Sequence, residues 1–159
     1  MATTDGLPET GKTAPAFTGA ITADEKIRLS QFKGKYGVLY FYPKDNTPGC
    51  TVEAKEFRDE QDEFEAANAV IIGFSPDDAE SHAKFATRFD LNFIRVADEN
   101  HKIAEKYGVW VEKTMYGKKH MGIQRTTFLI DTKGKIAHIW PKVRAEGHAD
   151  QVLKVLADI

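Results

Sequence analysis

Residues 38–50, VLYFYPKDNTPGC, carry an apolar run, a turn and the only cysteine of the 159-residue chain. The first five residues have the length and the β-branched and aromatic composition of a buried strand. Pro43, Pro48 and Gly49 then favour a turn, because proline fixes φ and glycine frees the backbone. Helical spacing of apolar side chains begins at Cys50. The stretch therefore predicts a strand, a turn and a helix in immediate succession.

Strand-like and helical patterns alternate along the rest of the chain. Strands are predicted over residues 38–42, 70–74, 93–97, 127–131 and 136–140. Helices are predicted over residues 50–67, over residues 100–107 and from His148 onward. Another helix is predicted after residue 74, with Ser75 as its cap and Pro76 in its first position. This order predicts an α/β domain with a central mixed β-sheet flanked by helices on both faces. Residues 112–124 are predicted to form a long irregular loop.

The chain is predicted to be one domain, residues 12–159, preceded by a flexible N-terminal arm, residues 1–11. The arm overlaps GLPETGKT, residues 6–13, which matches the phosphate-loop pattern G-x-x-x-x-G-K-[ST] letter for letter. Phosphate binding by that motif needs a buried strand before the loop and a helix after it. Too few residues precede the motif for a core strand, and Pro15 and Gly19 follow where the helix should run. We therefore expect no nucleotide site.

Charge and composition argue against several classes of partner. The chain has 22 Lys and Arg against 24 Asp and Glu, a formal net charge of −2, which argues against a nucleic-acid-binding surface. The longest apolar runs are strand-length, so neither a membrane segment nor a secretory signal is expected, and the expected location is the cytoplasm. The five histidines show no metal-binding spacing, so no metal or other cofactor is expected.

A single cysteine cannot form a disulfide within the chain, which fits a reducing compartment. Cys50 is then either an inert core residue or a reactive thiol. In the first turn of a helix, free backbone N–H groups and the helix dipole stabilise a thiolate. Thr47 lies three residues earlier, where its hydroxyl can face the sulfur, and Pro43, Pro48 and Gly49 stiffen the loop. Such a site suits a small polar electrophile, for example a peroxide.

The pattern Pro43-x-x-x-Thr47-x-x-Cys50 resembles the active-site motif of the peroxiredoxins. The wider segment YFYPKDNTPGCTVEAKEFRD is similar to the bacterioferritin comigratory protein, or peroxiredoxin Q, branch of that family. The segment APAF before it, and the segments GVWVEK and GIQRTTFLID after it, stand in the same order and spacing as in that branch. The resemblance extends from Lys12 to the C-terminus and implies a thioredoxin-like fold. It also implies thiol peroxidase activity toward hydrogen peroxide and organic hydroperoxides.

The resemblance implies a role for each residue that matches the motif. Cys50 would be the peroxidatic cysteine, which attacks one peroxide oxygen and becomes a sulfenic acid. Thr47 and Pro43 would bind the peroxide and shield the site, with Gly49 in the same substrate-binding loop. Thr47 also has a simpler interpretation as a turn hydroxyl.

The resemblance also implies two charged residues beside the thiolate. Arg125, in GIQRTTF, matches the family's arginine although it lies far from Cys50 in sequence, and Glu53 would tune that arginine. From the helical pattern alone, Glu53 is expected away from the apolar face of its helix, so a surface charge is its simpler interpretation. For Arg125 the simpler interpretation is a strand-edge charge exposed to water.

The chain departs from the branch at Lys55, where many members carry a second, resolving cysteine. The resemblance then implies a one-cysteine enzyme that is reduced by an external thiol, namely thioredoxin, glutaredoxin or glutathione, or by Cys50 of another copy. We expect a monomer or a weak homodimer. Two other classes stay open at this point: a peroxide sensor or redox-signalling, chaperone-like protein that uses the same thiol, and a structural module with an inert thiol.

Overall fold

The computed structural model describes residues 6–22 and 24–159. The strands are β1 Thr18–Ala20, β2 Lys26–Arg28, β3 Tyr36–Phe41, β4 Ala69–Ser75, β5 Ile94–Ala97, β6 Trp110–Met115, β7 Lys118–Ile123, β8 Thr126–Ile130 and β9 Ile136–Trp140. The helices are α1 Pro48–Asp59, α2 Gln61–Ala66, α3 Ala79–Phe89, α4 Lys102–Lys106 and α5 His148–Ala157, with a 3-10 helix at Leu29–Phe32. None of the helices in these residues has the length and apolar character needed to cross a membrane.

The central sheet is mixed, as predicted, with the strand order β2-β1-β5-β4-β3-β8-β9. β3 and β5 run parallel to β4, because α1 and α2 connect β3 to β4 and α3 connects β4 to β5. β8 runs antiparallel to β3, with Thr126 opposite Phe41. The beginning of β8 therefore lies beside the end of β3, at the edge where the cysteine loop begins.

Alternation along β3 divides the core between the two faces of the sheet. Leu39 and Phe41 belong to one buried cluster, which also takes Ile103 from α4. Val38 and Tyr40 belong to the other, which α1, α2, α3 and α5 cover. Successive side chains of a strand point to opposite faces, so β3 anchors both clusters. The predicted helices on both faces are confirmed.

The N-terminal residues contact the domain where the structure describes them. Leu7 packs against the core cluster of Phe41, and the Gly11 N–H donates to the Ile136 carbonyl at 2.8 Å. Residues 1–5 of the predicted arm lie outside the described residues. The boundary at residue 12 stays a prediction.

Two of the predicted helices differ from the structure by a break or by a start three residues later. The helix predicted over residues 50–67 is two helices, because the backbone of Glu60 leaves the helical region at ψ 7°. The helix after β4 begins at Ala79 instead of Pro76, since β4 keeps its pairing through Ser75, which lies opposite Ala97. Its cap is Asp78, whose carboxylate accepts a hydrogen bond from the Ser81 N–H at 2.8 Å.

The prediction of an irregular loop over residues 112–124 was wrong. The segment forms a β-hairpin in which β6 and β7 pair from Trp110 opposite Ile123 to Met115 opposite Lys118. Tyr116 and Gly117 make the two-residue turn, both with positive φ, at 53° and 76°. Such a turn normally carries Asn or Gly in its first position, so the tyrosine conceals it in the sequence.

Candidate active site

Cys50 lies in the first turn of α1, directly beyond the carboxyl end of β3. The helix begins at Pro48, and proline suits this position because its missing N–H would have no helical partner. Thr47 is the N-cap residue, and its carbonyl accepts from the Thr51 N–H at 2.8 Å. The Cys50 side chain packs in the core cluster around Tyr40, and the residue is only 2% exposed. The thiol is thus buried in the first turn of a helix, among backbone N–H groups that have no intrahelical acceptor.

Arg125 contacts this thiol although it lies 75 residues further along the chain. It lies between β7 and β8, at the strand end that pairs beside the end of β3. Its Nη2 donates to Cys50 Sγ at 3.1 Å, and its Nη1 donates to a Glu53 carboxylate oxygen at 2.6 Å. The side chain is 17% exposed, so its charge is largely withdrawn from water. One guanidinium therefore joins the sulfur and the carboxylate.

Glu53 lies one helical turn after Cys50 and is buried, which contradicts its expected position away from the apolar face. It follows Cys50 by three residues, and that spacing places both side chains on the same side of α1. Burial raises the pKa of Glu53 to about 7, although the charge and the hydrogen bond of Arg125 pull it down. Its second oxygen, Oε2, is buried and has no partner among the described residues.

The pKa of Arg125 is raised. Burial alone would lower it, but the charges of Glu53 and Cys50, with the hydrogen bonds to both, act more strongly in the other direction. The guanidinium is held in its protonated form between two acidic groups. This leaves Arg125 as a fixed positive charge at the sulfur.

The loop residues of the predicted site contribute in different ways. The Thr47 hydroxyl donates to the Lys44 carbonyl at 3.0 Å, so its proton serves the turn, and no hydrogen bond joins it to Cys50 within the described residues. Pro43 is half-buried in the same loop. A Cβ at Gly49 would lie 3.3 Å from Arg125 Nη2, so the absence of a side chain there leaves room for the guanidinium.

Asp45 anchors the cysteine loop through contacts that the sequence did not reveal. Its carboxylate accepts from the Tyr42 hydroxyl at 2.6 Å and the Ser81 hydroxyl at 2.9 Å, and lies 2.7 Å from His82 Nδ1. Its N–H donates to an Asp77 carboxylate oxygen at 2.7 Å. Burial would raise the pKa of Asp45, but the hydrogen bond and charge of His82 and the two hydroxyl donors lower it overall. The loop is therefore held by buried contacts to α3 and to Asp77, which lies between β4 and α3.

Tyr40 also lies at the site and was not predicted. Its ring stacks on Tyr42 and on Phe57 of α1, in the buried cluster that also contains Cys50. Burial raises the pKa of Tyr40 well above its usual value, and the charges of Glu53 and Cys50 raise it further. Its place in an apolar strand run is the reason that the sequence indicated only a core residue.

The chain matches known proteins over most of its length. Residues 10–139 match the AhpC/TSA family. Peroxiredoxin Bcp of Bacillus subtilis (strain 168) is 47% identical over 151 residues, which cover 95% of this chain and 96% of that protein. Peroxiredoxin Q of Xanthomonas campestris has a TM-score of 0.85 at 38% identity, over 89% of this chain and 90% of that one. A mutant PrxQ of Xylella fastidiosa has a TM-score of 0.86 at 35% identity, covering 94% and 96%.

These likenesses confirm the predicted thioredoxin-like fold and the resemblance that the motif around the cysteine indicated. The relatives are named peroxiredoxins, which are thiol-dependent peroxidases, and the one cysteine of this chain fits a one-cysteine peroxidase. The family match spans residues 10–139, and one relative is 47% identical to this chain, so both comparisons indicate the same family. This chain belongs to the AhpC/TSA family and is a thiol-dependent peroxidase of the Bcp and peroxiredoxin Q type.

Proposed function

We propose that Cys50 is the peroxidatic cysteine and that it reduces hydrogen peroxide and organic hydroperoxides. The observation that carries this proposal is the 3.1 Å hydrogen bond from Arg125 to Cys50 Sγ at the first turn of α1. A cationic donor on the sulfur favours the thiolate, which is the nucleophilic form. The bacterioferritin comigratory protein of Xanthomonas campestris, 37% identical to this chain, has alkyl peroxide reduction activity, which supports organic hydroperoxides as substrates.

In the first step the Cys50 thiolate attacks one peroxide oxygen. An S–O bond forms, the O–O bond breaks, and the departing oxygen takes a proton to leave as water or an alcohol. Arg125 donates toward the reacting sulfur and is positioned to stabilise the negative charge that moves onto the departing oxygen. Cys50 becomes a sulfenic acid.

Glu53 positions Arg125 in this proposal. The 2.6 Å hydrogen bond fixes the guanidinium plane, so the second nitrogen stays aimed at the sulfur. Gly49 leaves the space for this approach. Thr47 and Pro43 form the wall of the peroxide-binding loop, and the Thr47 hydroxyl, which donates to Lys44, keeps its lone pairs for the substrate.

An external thiol completes the cycle, because the chain has no second cysteine and Lys55 is an exposed residue of α1. Thioredoxin, glutaredoxin or glutathione would supply that thiol. We place the enzyme in the cytoplasm, where such thiols are kept reduced, as a monomer or a weak homodimer. Subcellular fractionation tests the compartment, and sedimentation of the reduced and oxidised protein tests the oligomeric state.

The decisive experiment measures peroxide consumption over many turnovers with an excess of dithiothreitol. Cys50→Ser should abolish turnover, and Arg125→Ala should reduce the rate of Cys50 oxidation by about 10²-fold, the usual loss for one transition-state donor. Arg144→Ala, at an exposed arginine outside the site, is the matched control and should keep full activity. Turnover by Cys50→Ser would disprove the assignment. A single oxidation without recycling would favour a sensor.

A further inference from the structure

Lys113 is a half-buried lysine of β6 that has no carboxylate partner among the described residues. The exposed lysines Lys84, Lys119 and Lys154, in contrast, each pair with an acidic side chain. Burial lowers the pKa of Lys113, the charge of Arg125 lowers it further, and the charge of Cys50 acts in the opposite direction. An ammonium group that has lost water and gained no partner binds an anion more strongly than an exposed one.

The hairpin of β6 and β7 directs Lys113 toward the site. Lys113 lies opposite His120, and its side chain crosses the bare backbone of Gly122, where a Cβ would be 3.4 Å from its Cδ. Beyond β7 the Gln124 N–H donates to the Val109 carbonyl at 2.8 Å, and Arg125 is the next residue. The base of the hairpin thus adjoins Arg125.

The two faces of this hairpin differ in charge. Strand alternation places Lys113, Lys118 and His120 on one face, where the hairpin has no acidic residue. On the other face Glu112 pairs with Lys119 at 3.8 Å. A basic strip therefore runs along this face of the hairpin toward Arg125, which donates to the Cys50 sulfur, and its innermost member is Lys113.

Oxidation changes the charge balance around this strip. In the proposed mechanism the reduced enzyme carries Cys50 as a thiolate, whose negative charge offsets the positive charges of Arg125 and Lys113. When the sulfur becomes a sulfenic acid, that negative charge is gone, while Arg125 keeps Glu53 as its partner. Lys113 is then left without a compensating anion at the stage when an external thiol must enter.

We infer that Lys113 binds the carboxylate of the thiol that reduces oxidised Cys50, so the preferred reductant is a small thiol bearing a carboxylate near its sulfur. This inference rests on the proposed role of Cys50. Simple mercapto acids meet this requirement most closely, and glutathione carries its carboxylates on the two residues that flank its cysteine. A carboxylate held on Lys113 places the attached thiol within the positive field of Arg125, which also favours its thiolate.

The reduction consumes two thiols for each peroxide. The first thiolate attacks the sulfenic sulfur, an S–S bond forms, the S–O bond breaks, and the departing hydroxide takes a proton to become water. The second thiolate attacks the outer sulfur of this mixed disulfide, which releases the Cys50 thiolate and a disulfide of the two small thiols. The sulfur of Cys50 is reduced and the two thiols are oxidised.

The test compares 3-mercaptopropionate with 3-mercaptopropan-1-ol, which differ in charge but present the thiol alike. Cys50 is oxidised with one equivalent of hydrogen peroxide, the sulfenic acid is verified by mass spectrometry after trapping, and its reduction is followed at equal thiolate concentrations. The wild type should favour the carboxylate thiol by about three- to five-fold, the effect of one partly exposed ion pair. The ratio of the two rates cancels any change in the reactivity of the sulfur itself.

Lys113→Gln should bring this ratio close to one, Lys113→Arg should restore it, and Lys119→Gln, on the other face of the hairpin, should leave it at the wild-type value. An unchanged ratio in Lys113→Gln, or no preference in the wild type, would overturn the inference about Lys113. Normal formation of the sulfenic acid in the same experiment would still support the proposed role of Cys50. Failure of peroxide to oxidise Cys50 would overturn both. If Lys113→Gln instead slows only oxidation by a carboxylate-bearing hydroperoxide, the carboxylate belongs to the substrate and the thiol assignment is wrong.

Discussion

At the scale of single residues, Glu53 couples protonation to the stability of the site. Its pKa is about 7 in the folded chain against 4.5 in a model peptide, because burial penalises the carboxylate more than Arg125 stabilises it. Between these pH values the unfolded chain loses a proton that the folded chain keeps. The contribution of Glu53 to stability is therefore complete below pH 4.5 and is lost as the pH rises through about 7.

Glu53→Gln should remove this dependence, because glutamine has no proton to lose. Relative to this variant, the wild type should lose up to about 3 kcal/mol of unfolding free energy between the two pKa values, with little change at higher pH. Guanidinium denaturation of both proteins across this range measures the difference. A constant difference at all pH values would show that Glu53 titrates in the folded protein as it does in the unfolded one.

At the scale of elements, the cysteine loop owes its shape to Asp45. Removal of its charge by Asp45→Asn leaves His82 facing a neutral amide in the core, while the other ring nitrogen of His82 stays 2.9 Å from the Val96 carbonyl. We expect a loss of about 3 kcal/mol in stability, as for other broken buried pairs. The same change should speed amide hydrogen exchange in residues 43–49 and slow the oxidation of Cys50.

The pH dependence of this loss distinguishes the anchor from a general packing defect. The pKa of Asp45 is lowered from 3.8, so its contribution is present above that pH and disappears as the pH falls through the folded-state value. The gap in unfolding free energy between wild type and Asp45→Asn should therefore narrow in acid. Asp59→Asn, at an exposed carboxylate 2.8 Å from Arg58, is the control and should cost less than about 1 kcal/mol. An equal cost for both variants would contradict the anchoring role.

The same elements show what the sequence can predict. The central strands were predictable because each is an apolar run bounded by turn residues, and Cys50 because Pro43 and Thr47 precede it in a recognised pattern. Arg125 was predictable only by resemblance, since its contact depends on the pairing of β8 with β3. The roles of Asp45 and Lys113 were not predictable. An acidic residue in a turn and a lysine in a strand are usually exposed, and only the structure shows that these two are buried or partly buried.

At the scale of the whole molecule, the first helix belongs to both the site and the core. Cys50, Ala54 and Phe57 lie in one buried cluster with Tyr40 of β3, so unwinding α1 would expose core side chains. Exposure of a single phenylalanine costs about 1.5–3 kcal/mol. A chain that is reduced by an external thiol can keep this helix folded throughout the cycle.

Lys55→Cys tests this link between fold and chemistry. Five residues apart in an ideal α-helix, two Cα atoms are about 8.6 Å from each other, beyond the roughly 7 Å that a disulfide can span. A bond between residues 50 and 55 would therefore require α1 to unwind. After one equivalent of peroxide, the variant should lose far-UV circular dichroism and hydrogen-exchange protection in residues 48–59, whereas the wild type should keep both. Loss of helix in the oxidised wild type would show that α1 opens even without a second cysteine, and that the buried thiol is reached by unfolding.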